Sequence, residues 1–212
     1  MRKIKGVIYD LDGTIISTQK LHENAWIYAG KKFNVSISQE MLLNQKGISN
    51  EAAALMMLPV DKRNLTNEFI AAKVNYVNEN IHQAKFFPDI MTTLKQLSEN
   101  NYKVWVCTSA GKDFVEKVSN NSNELKKYNV IWREMYNNEK PSPEALNLTI
   151  KKMGLINSQV CYVGDALSDY KTSINAEVKF IYFCPNIKNK DARIPESIPA
   201  ISSHKEIFRF LE

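Results

Sequence analysis

Cysteine is scarce in this chain, with Cys107, Cys161 and Cys184 the only three among 212 residues. No CxxC or CxxH spacing occurs, which argues against a zinc site. Each cysteine sits in an apolar stretch that reads as a strand, and three free buried thiols suit a reducing cytoplasm. Long hydrophobic runs are missing as well. Nothing approaches the roughly 20 apolar residues of a membrane span, and the run Val7–Tyr9 is too short for a signal peptide. The expectation is a cytoplasmic chain with no membrane partner. Charge of one sign is not concentrated anywhere: the net charge is only +5, and no run of five or more basic residues occurs. A nucleic-acid partner is therefore not expected. Repeats and low-complexity segments are absent.

What remains is an ordinary globular composition, 44% apolar and 24% charged, in a chain long enough to bury a core without staples. Short apolar runs recur at Ile4–Tyr9, Val104–Cys107, Val130–Trp132, Val160–Val163 and Val178–Cys184. They are rich in β-branched and aromatic residues and nearly continuous, the pattern of strands buried on both faces. Helices separate them. Ser142 and Pro143 read as an N-cap and first-turn pair, Leu146, Ile150 and Met153 form one stripe, and Gly154 stops the helix. Asp89 reads as the cap of another, with Ile90, Leu94 and Leu97 on one face. This alternation predicts an α/β fold, a Rossmann-like parallel sheet with helices on both faces.

The segment after the first strand breaks the alternation. Residues 17–85 carry no strand pattern, while Leu65, Phe69, Ile70, Val74, Val77 and Ile81 keep helical spacing, preceded by shorter helical patterns at Glu40–Leu43 and Asn50–Leu58. An inserted all-helical cap subdomain over 17–85 is expected, with 1–16 and 86–212 forming the core. The stretch Pro185–Pro199 reads as a loop, followed by a short strand and a helix.

In an open parallel sheet, ligands bind beyond the carboxyl ends of the strands. There the chain places Asp10 and Asp12 in Asp10-Leu11-Asp12-Gly13-Thr14, then Thr108-Ser109, then Lys140, then Gly164-Asp165 with Asp169 four residues on. Carboxylates a few ångströms apart repel by roughly 4 kcal/mol per pair at an effective dielectric near 20. A cation is needed to hold them together. Oxygen donors without histidine or cysteine point to Mg²⁺, and a lysine beside them adds a point charge suited to a phosphate.

These residues resemble the four ordered motifs of the haloacid dehalogenase-like hydrolase superfamily: DxDGT at Asp10, a threonine after the second core strand, a lysine before a helix, and GDxxxD at Asp165. The inserted helices resemble the cap of its phosphoglycolate phosphatase and β-phosphoglucomutase-like branch. The resemblance implies a phosphatase acting on a small phosphorylated metabolite through an aspartyl-phosphate. Asp10 would be the nucleophile and Asp12 the acid and base, with its backbone carbonyl on the metal. Thr108 and Lys140 would hold the phosphoryl oxygens, with Ser109 beside Thr108. Asp165 would ligate Mg²⁺, and Asp169 would lie in the first or second shell. Lys46, in Lys46-Gly47-Ile48-Ser49, resembles a substrate-contacting cap loop, and His22 resembles a hinge histidine of the mutases. The mutase pattern has an arginine where this chain has Asn50. A phosphomutase and a catalytically silent binding protein on the same fold are the alternatives. A dehalogenase would not need an acid at Asp12, and a phosphonatase would have a small residue there.

Overall fold

The computed structural model describes residues 3–45 and 48–211. The chain divides into two compact units, one from residues up to Ser17 together with those from Phe86 onward, the other Thr18–Lys85. In the first unit, β1 (Gly6–Tyr9) is followed by the two-residue strand β2 (Ile16–Ser17). In the second unit come α1 (Gln19–Lys32), α2 (Gln39–Asn44), α3 (Asn50–Met57) and α4 (Thr66–Asn80). The chain re-enters the first unit through β3 (Lys85–Phe86) and continues α5 (Ile90–Glu99), β4 (Lys103–Cys107), α6 (Lys112–Asn120), β5 (Asn129–Ile131), α7 (Glu144–Met153), β6 (Val160–Gly164), α8 (Leu167–Asn175), β7 (Lys179–Phe183) and β8 (Ala200–Ile201).

Six strands form one parallel sheet in the order β5-β4-β1-β6-β7-β8. Strand β1 lies between β4 and β6, with Tyr9 in register with Val106 and Val163. The carboxyl ends of three strands, each followed by candidate site residues, are thus neighbours. The α/β fold expected from the alternating pattern is the fold found. Every residue of β1 and β6 is buried, which is why those strands read as continuous apolar runs. Ile8 and Tyr162 enter a core with Leu146, Ile150 and Met153 of α7. Tyr9 and Phe183 belong to an aromatic group with Phe87 and His204.

Local signals explain the helix ends. Gly154 adopts φ 65° behind α7, the left-handed conformation that glycine takes without steric cost. Lys103 Nζ donates to the Met153 carbonyl at 2.6 Å, satisfying one terminal acceptor. Asp89 does occupy the position before α5, but at φ 66° and without a capping bond. Its carboxylate instead accepts from Ser203 Oγ at 3.2 Å and pairs with Lys205 at 3.1 Å. The C-terminal helix expected from sequence is a 3₁₀ segment, His204–Phe210.

The helical unit has its own core, in which Trp26, Ala29, Leu42, Ala53, Met57, Phe69 and Ala72 meet. Trp26 and Phe69 lie 5.5 Å apart by ring centroid, and burying rings of this size supplies much of a small core's stability. Ser38 and Ser49 cap α2 and α3 through their side chains. Helix α1 was not among the sequence expectations. Its apolar face is made partly of Ala25, Ala29 and Gly30, and small residues give a weak amphipathic signal. No helix among the described residues is long and apolar enough to cross a membrane.

His204 is fully buried, stacked on Phe183 at 4.1 Å, and neither ring nitrogen has a hydrogen-bond partner among the described residues. Burial pulls its pKa from 6.5 to about 4, against smaller upward pulls from the Thr14 backbone and Asp89. The unfolded chain therefore binds the proton more readily between these values, and stability falls as pH drops from 6.5 towards 4. A gap of this size corresponds to roughly 3 kcal/mol. His204→Phe, an apolar ring in an aromatic box, should remove most of that loss. Urea unfolding of both proteins at pH 7 and pH 4.5 checks this, and equal pH dependence of the two would contradict it.

Candidate active site

The site is built at the carboxyl ends of β1, β4 and β6. Asp10 immediately follows β1, and its backbone N–H donates to the Val163 carbonyl at 2.8 Å, so the peptide that carries Asp10 is fixed to β6. The loop then turns on Gly13, at φ 88°. Any Cβ there would collide with the Asp165 carboxylate. Glycine is needed for its conformation and for the space it leaves. Thr14 Oγ1 donates to Asp165 Oδ1 at 3.1 Å. A second glycine has the same spatial role: a Cβ on Gly164 would lie 2.5 Å from Asp169 Oδ2.

Asp10, Asp165 and Asp169 offer carboxylate oxygens that all lie within 4.8 Å of one another. The Asp12 side chain is not part of that group. It is half-buried and follows Asp10 by two residues. Lys140 enters the cluster from the segment before α7. Its ammonium is 2.6 Å from Asp10 Oδ1, 2.6 Å from Asp169 Oδ1 and 2.7 Å from the Tyr162 hydroxyl. The Tyr162 hydroxyl donates in turn to Asp169 Oδ1 at 2.8 Å. Asp169 Oδ2 accepts the Ala166 backbone N–H at 3.1 Å. Asp169 thus holds both the lysine and the amino end of α8.

Three carboxylates stand against one ammonium, and the electrostatics follow. Burial raises the Asp10 pKa to about 7, opposed by Lys140 and reinforced by Asp169 and Asp12. Asp165 is pushed well above the usual carboxylate range by burial and then by Asp169, Asp10 and Asp12. Burial pulls Lys140 down, but Asp10 and Asp169 outweigh it and leave its pKa raised. Perturbation of this kind is concentrated where charges are gathered for binding or chemistry. A hard divalent cation fits the donor set, since the three acids offer only carboxylate oxygens and the cluster is short of positive charge.

Thr108 is buried at the end of β4. Its Oγ1 accepts the Ala110 backbone N–H at 3.0 Å, which leaves its own hydroxyl proton to donate. Ser109 beside it is exposed. His22 lies in the first turn of α1 in the helical unit, half-buried, and Lys46 falls outside the described residues. Tyr162 was not singled out from sequence, and Thr14 was noted only as the last residue of the DxDGT motif. The available signal was a tyrosine in an otherwise apolar buried strand, and a hydroxyl two residues beyond Asp12.

Removing Lys140 should expose how much these carboxylates depend on it. In Lys140→Met the pull that lowers the Asp10 pKa is gone, so the folded protein must either protonate or bury an uncompensated charge. A loss of about 3–5 kcal/mol is expected at pH 8. A smaller loss is expected at pH 5, where Asp10 and Asp165 carry protons in the folded state. Denaturant unfolding at the two pH values tests the difference, and a loss independent of pH would refute it.

Comparison with known proteins places the chain in a family. The family model for haloacid dehalogenase-like hydrolases matches residues 7–183. Pyrophosphatase PpaX of Oceanobacillus iheyensis is 22% identical over 177 residues, 83% of this chain and 81% of that protein. Phosphoglycolate phosphatase of Aliivibrio fischeri is 24% identical over 183 residues, covering 80% and 79%. Among solved structures, a haloacid dehalogenase-like family hydrolase of Streptococcus pneumoniae superposes over 100% of both chains with a TM-score of 0.80 at 18% identity, a likeness of fold. With the family match spanning both the sheet and the helical insert, the chain belongs to the haloacid dehalogenase-like hydrolase family.

Proposed function

We propose that this hydrolase is a Mg²⁺-dependent phosphatase that cleaves a small phosphate monoester, with Asp10 as the nucleophile. The single observation that carries this is the Lys140 ammonium held 2.6 Å from Asp10 inside a buried carboxylate cluster. Such a site can bind a cation, and the charge of the lysine favours a phosphate beside it. The names of the two relatives, a pyrophosphatase and a phosphoglycolate phosphatase, support a small phosphorylated substrate. The three buried free cysteines are in keeping with a reducing cytoplasmic location.

The carboxylates of Asp10 and Asp165 and the backbone carbonyl of Asp12 would hold Mg²⁺. When bound, it supplies positive charge that keeps the carboxyls ionised and offsets charge on the phosphoryl oxygens. Asp169, whose two oxygens already accept from Lys140, Tyr162 and the Ala166 N–H, is assigned to support Lys140. It is not assigned to the metal. A carboxylate oxygen of Asp10 attacks phosphorus, and the bond from phosphorus to the leaving oxygen breaks. Asp12 delivers a proton to that oxygen, so the alcohol leaves neutral and an aspartyl-phosphate remains. Asp12 then takes a proton from water as the water attacks phosphorus, which releases inorganic phosphate and restores Asp10. Thr108 donates to a phosphoryl oxygen throughout. The helical unit Thr18–Lys85 takes the part of the family's cap, with His22 and Lys46 as its candidate substrate contacts. One cation at Lys46, with Asn50 where a mutase carries arginine, holds a second phosphate less well than a bidentate guanidinium does, which favours hydrolysis over transfer to a sugar phosphate.

Turnover of phosphate monoesters should stop on exhaustive chelation and return with Mg²⁺. Mg²⁺ should also raise the thermal midpoint of the wild type but not of Asp165→Asn. Asp10→Asn should remove turnover while the protein stays folded, and Asp12→Asn should cost about 10²–10⁴-fold in kcat. Full activity without divalent metal would overturn the assignment. With β-glucose 1-phosphate and a trace of the 1,6-bisphosphate, free phosphate should accumulate faster than isomer. The reverse order would make the protein a mutase.

A further inference from the structure

We infer that Tyr162 is a positioning residue, whose hydroxyl fixes the direction of the Lys140 ammonium and so keeps the lysine on a single oxygen of Asp10. A lysine ammonium has three protons and no acceptor. In this protein its three close neighbours are all acceptors: Asp10 Oδ1 at 2.6 Å, Asp169 Oδ1 at 2.6 Å and Tyr162 Oη at 2.7 Å. The ammonium is saturated, and two acceptors alone would leave it able to turn about the line between them. Tyr162 supplies the third point. Its own proton goes to Asp169 Oδ1 at 2.8 Å, so its lone pair faces the lysine. Lys140, Tyr162 and Asp169 form a closed triangle in which each member touches the other two.

The tyrosine is itself well held. It is fully buried in β6, and its ring centroid lies 6.1 Å from that of Phe180. Side chains two apart on a strand share a face, so Tyr162 shares its face with Gly164. The missing Cβ of Gly164 is what admits Asp169. The same stretch of strand thus makes room for the carboxylate and provides the hydroxyl that binds it. Because Lys140 engages Oδ1 of Asp10, Oδ2 is the oxygen left to reach phosphorus. No bond from another described residue to Oδ2 competes with that. Phenylalanine would fill the same space in the core, so packing alone does not account for the hydroxyl.

The role presupposes Asp10 as the nucleophile, and the test separates the two. Tyr162→Phe is compared with wild type and with Tyr182→Phe. The latter removes a hydroxyl on the neighbouring strand that accepts from the Asp191 N–H at 3.3 Å. Two readouts are taken, steady-state phosphate release with Mg²⁺ and proton exchange of the Lys140 ammonium by lysine-selective nitrogen-15 NMR on the metal-free protein. In Tyr162→Phe, the ammonium protons should exchange about tenfold faster and kcat should fall about tenfold, with KM within about twofold. Its thermal midpoint should stay within about 3 °C of wild type, and Tyr182→Phe should match wild type in both readouts. Unchanged exchange in Tyr162→Phe would overturn the positioning role, as would faster exchange with unchanged kcat. A wild type that releases no phosphate would overturn the phosphatase assignment, while the exchange measurement would still decide whether Tyr162 holds Lys140.

Discussion

The Lys140 ammonium between Asp10 and Asp169 is the interaction on which the rest of this site depends. Its side chain is only 8% exposed, and those of its two partners 7% and 3%. Buried charges are costly unless paired and hydrogen-bonded. Here each partner is also fixed by the backbone: Asp10 through its N–H to β6, Asp169 through the N–H of Ala166. The ion pairs therefore tie together β1, the segment before α7, and the amino end of α8. One lysine does not neutralise three acids, and the remaining imbalance is the reason the cluster could hold a cation.

Much of the architecture follows from keeping those side chains at one edge. A parallel sheet brings its strand ends to the same side, and the order with β1 in the centre sets Asp10 between β4 and β6. Two glycines, Gly13 and Gly164, clear the volume that the Asp165 and Asp169 carboxylates occupy. Behind them Tyr162 and Thr14 turn hydroxyls onto the same acids. Positioning of this sort, set before substrate arrives, is how enzymes make fixed dipoles and charges effective. The aromatic box around His204 lies on the other face of the same central strand, through Tyr9.

The helical unit is organised differently. Its core is built on Trp26 and Phe69, and its helices begin at serine caps. A separate core allows such an insert to vary while the sheet edge keeps its chemistry, a division expected where function lives in sites carried by a common fold. Lys73, 95% removed from solvent by its neighbours, reaches the Asn50 side chain at 2.9 Å and lies 5.4 Å from the centre of the Trp26 ring.

The order and spacing of Asp10, Asp12, Thr108, Lys140, Asp165 and Asp169 were legible in the chain, because each follows or closely trails an apolar run. So were the parallel sheet, from the continuous strands, and the end of α7 at Gly154, although Pro143 and not Ser142 stands at its N-cap, without a side-chain capping bond. Other features were not. Helix α1 builds its buried face partly from alanine and glycine, and Asp89 directs its carboxylate to Ser203 and Lys205 instead of to the helix it precedes. The sharing of Lys140 among two acids and a tyrosine depends on distances between segments up to 130 residues apart, and no local pattern encodes those. Sequence by itself determined which chemical groups arrive at the sheet edge, since periodicity and turn residues act over a few neighbours. Only the tertiary structure decided which oxygen each group touches, because that follows from packing between distant strands.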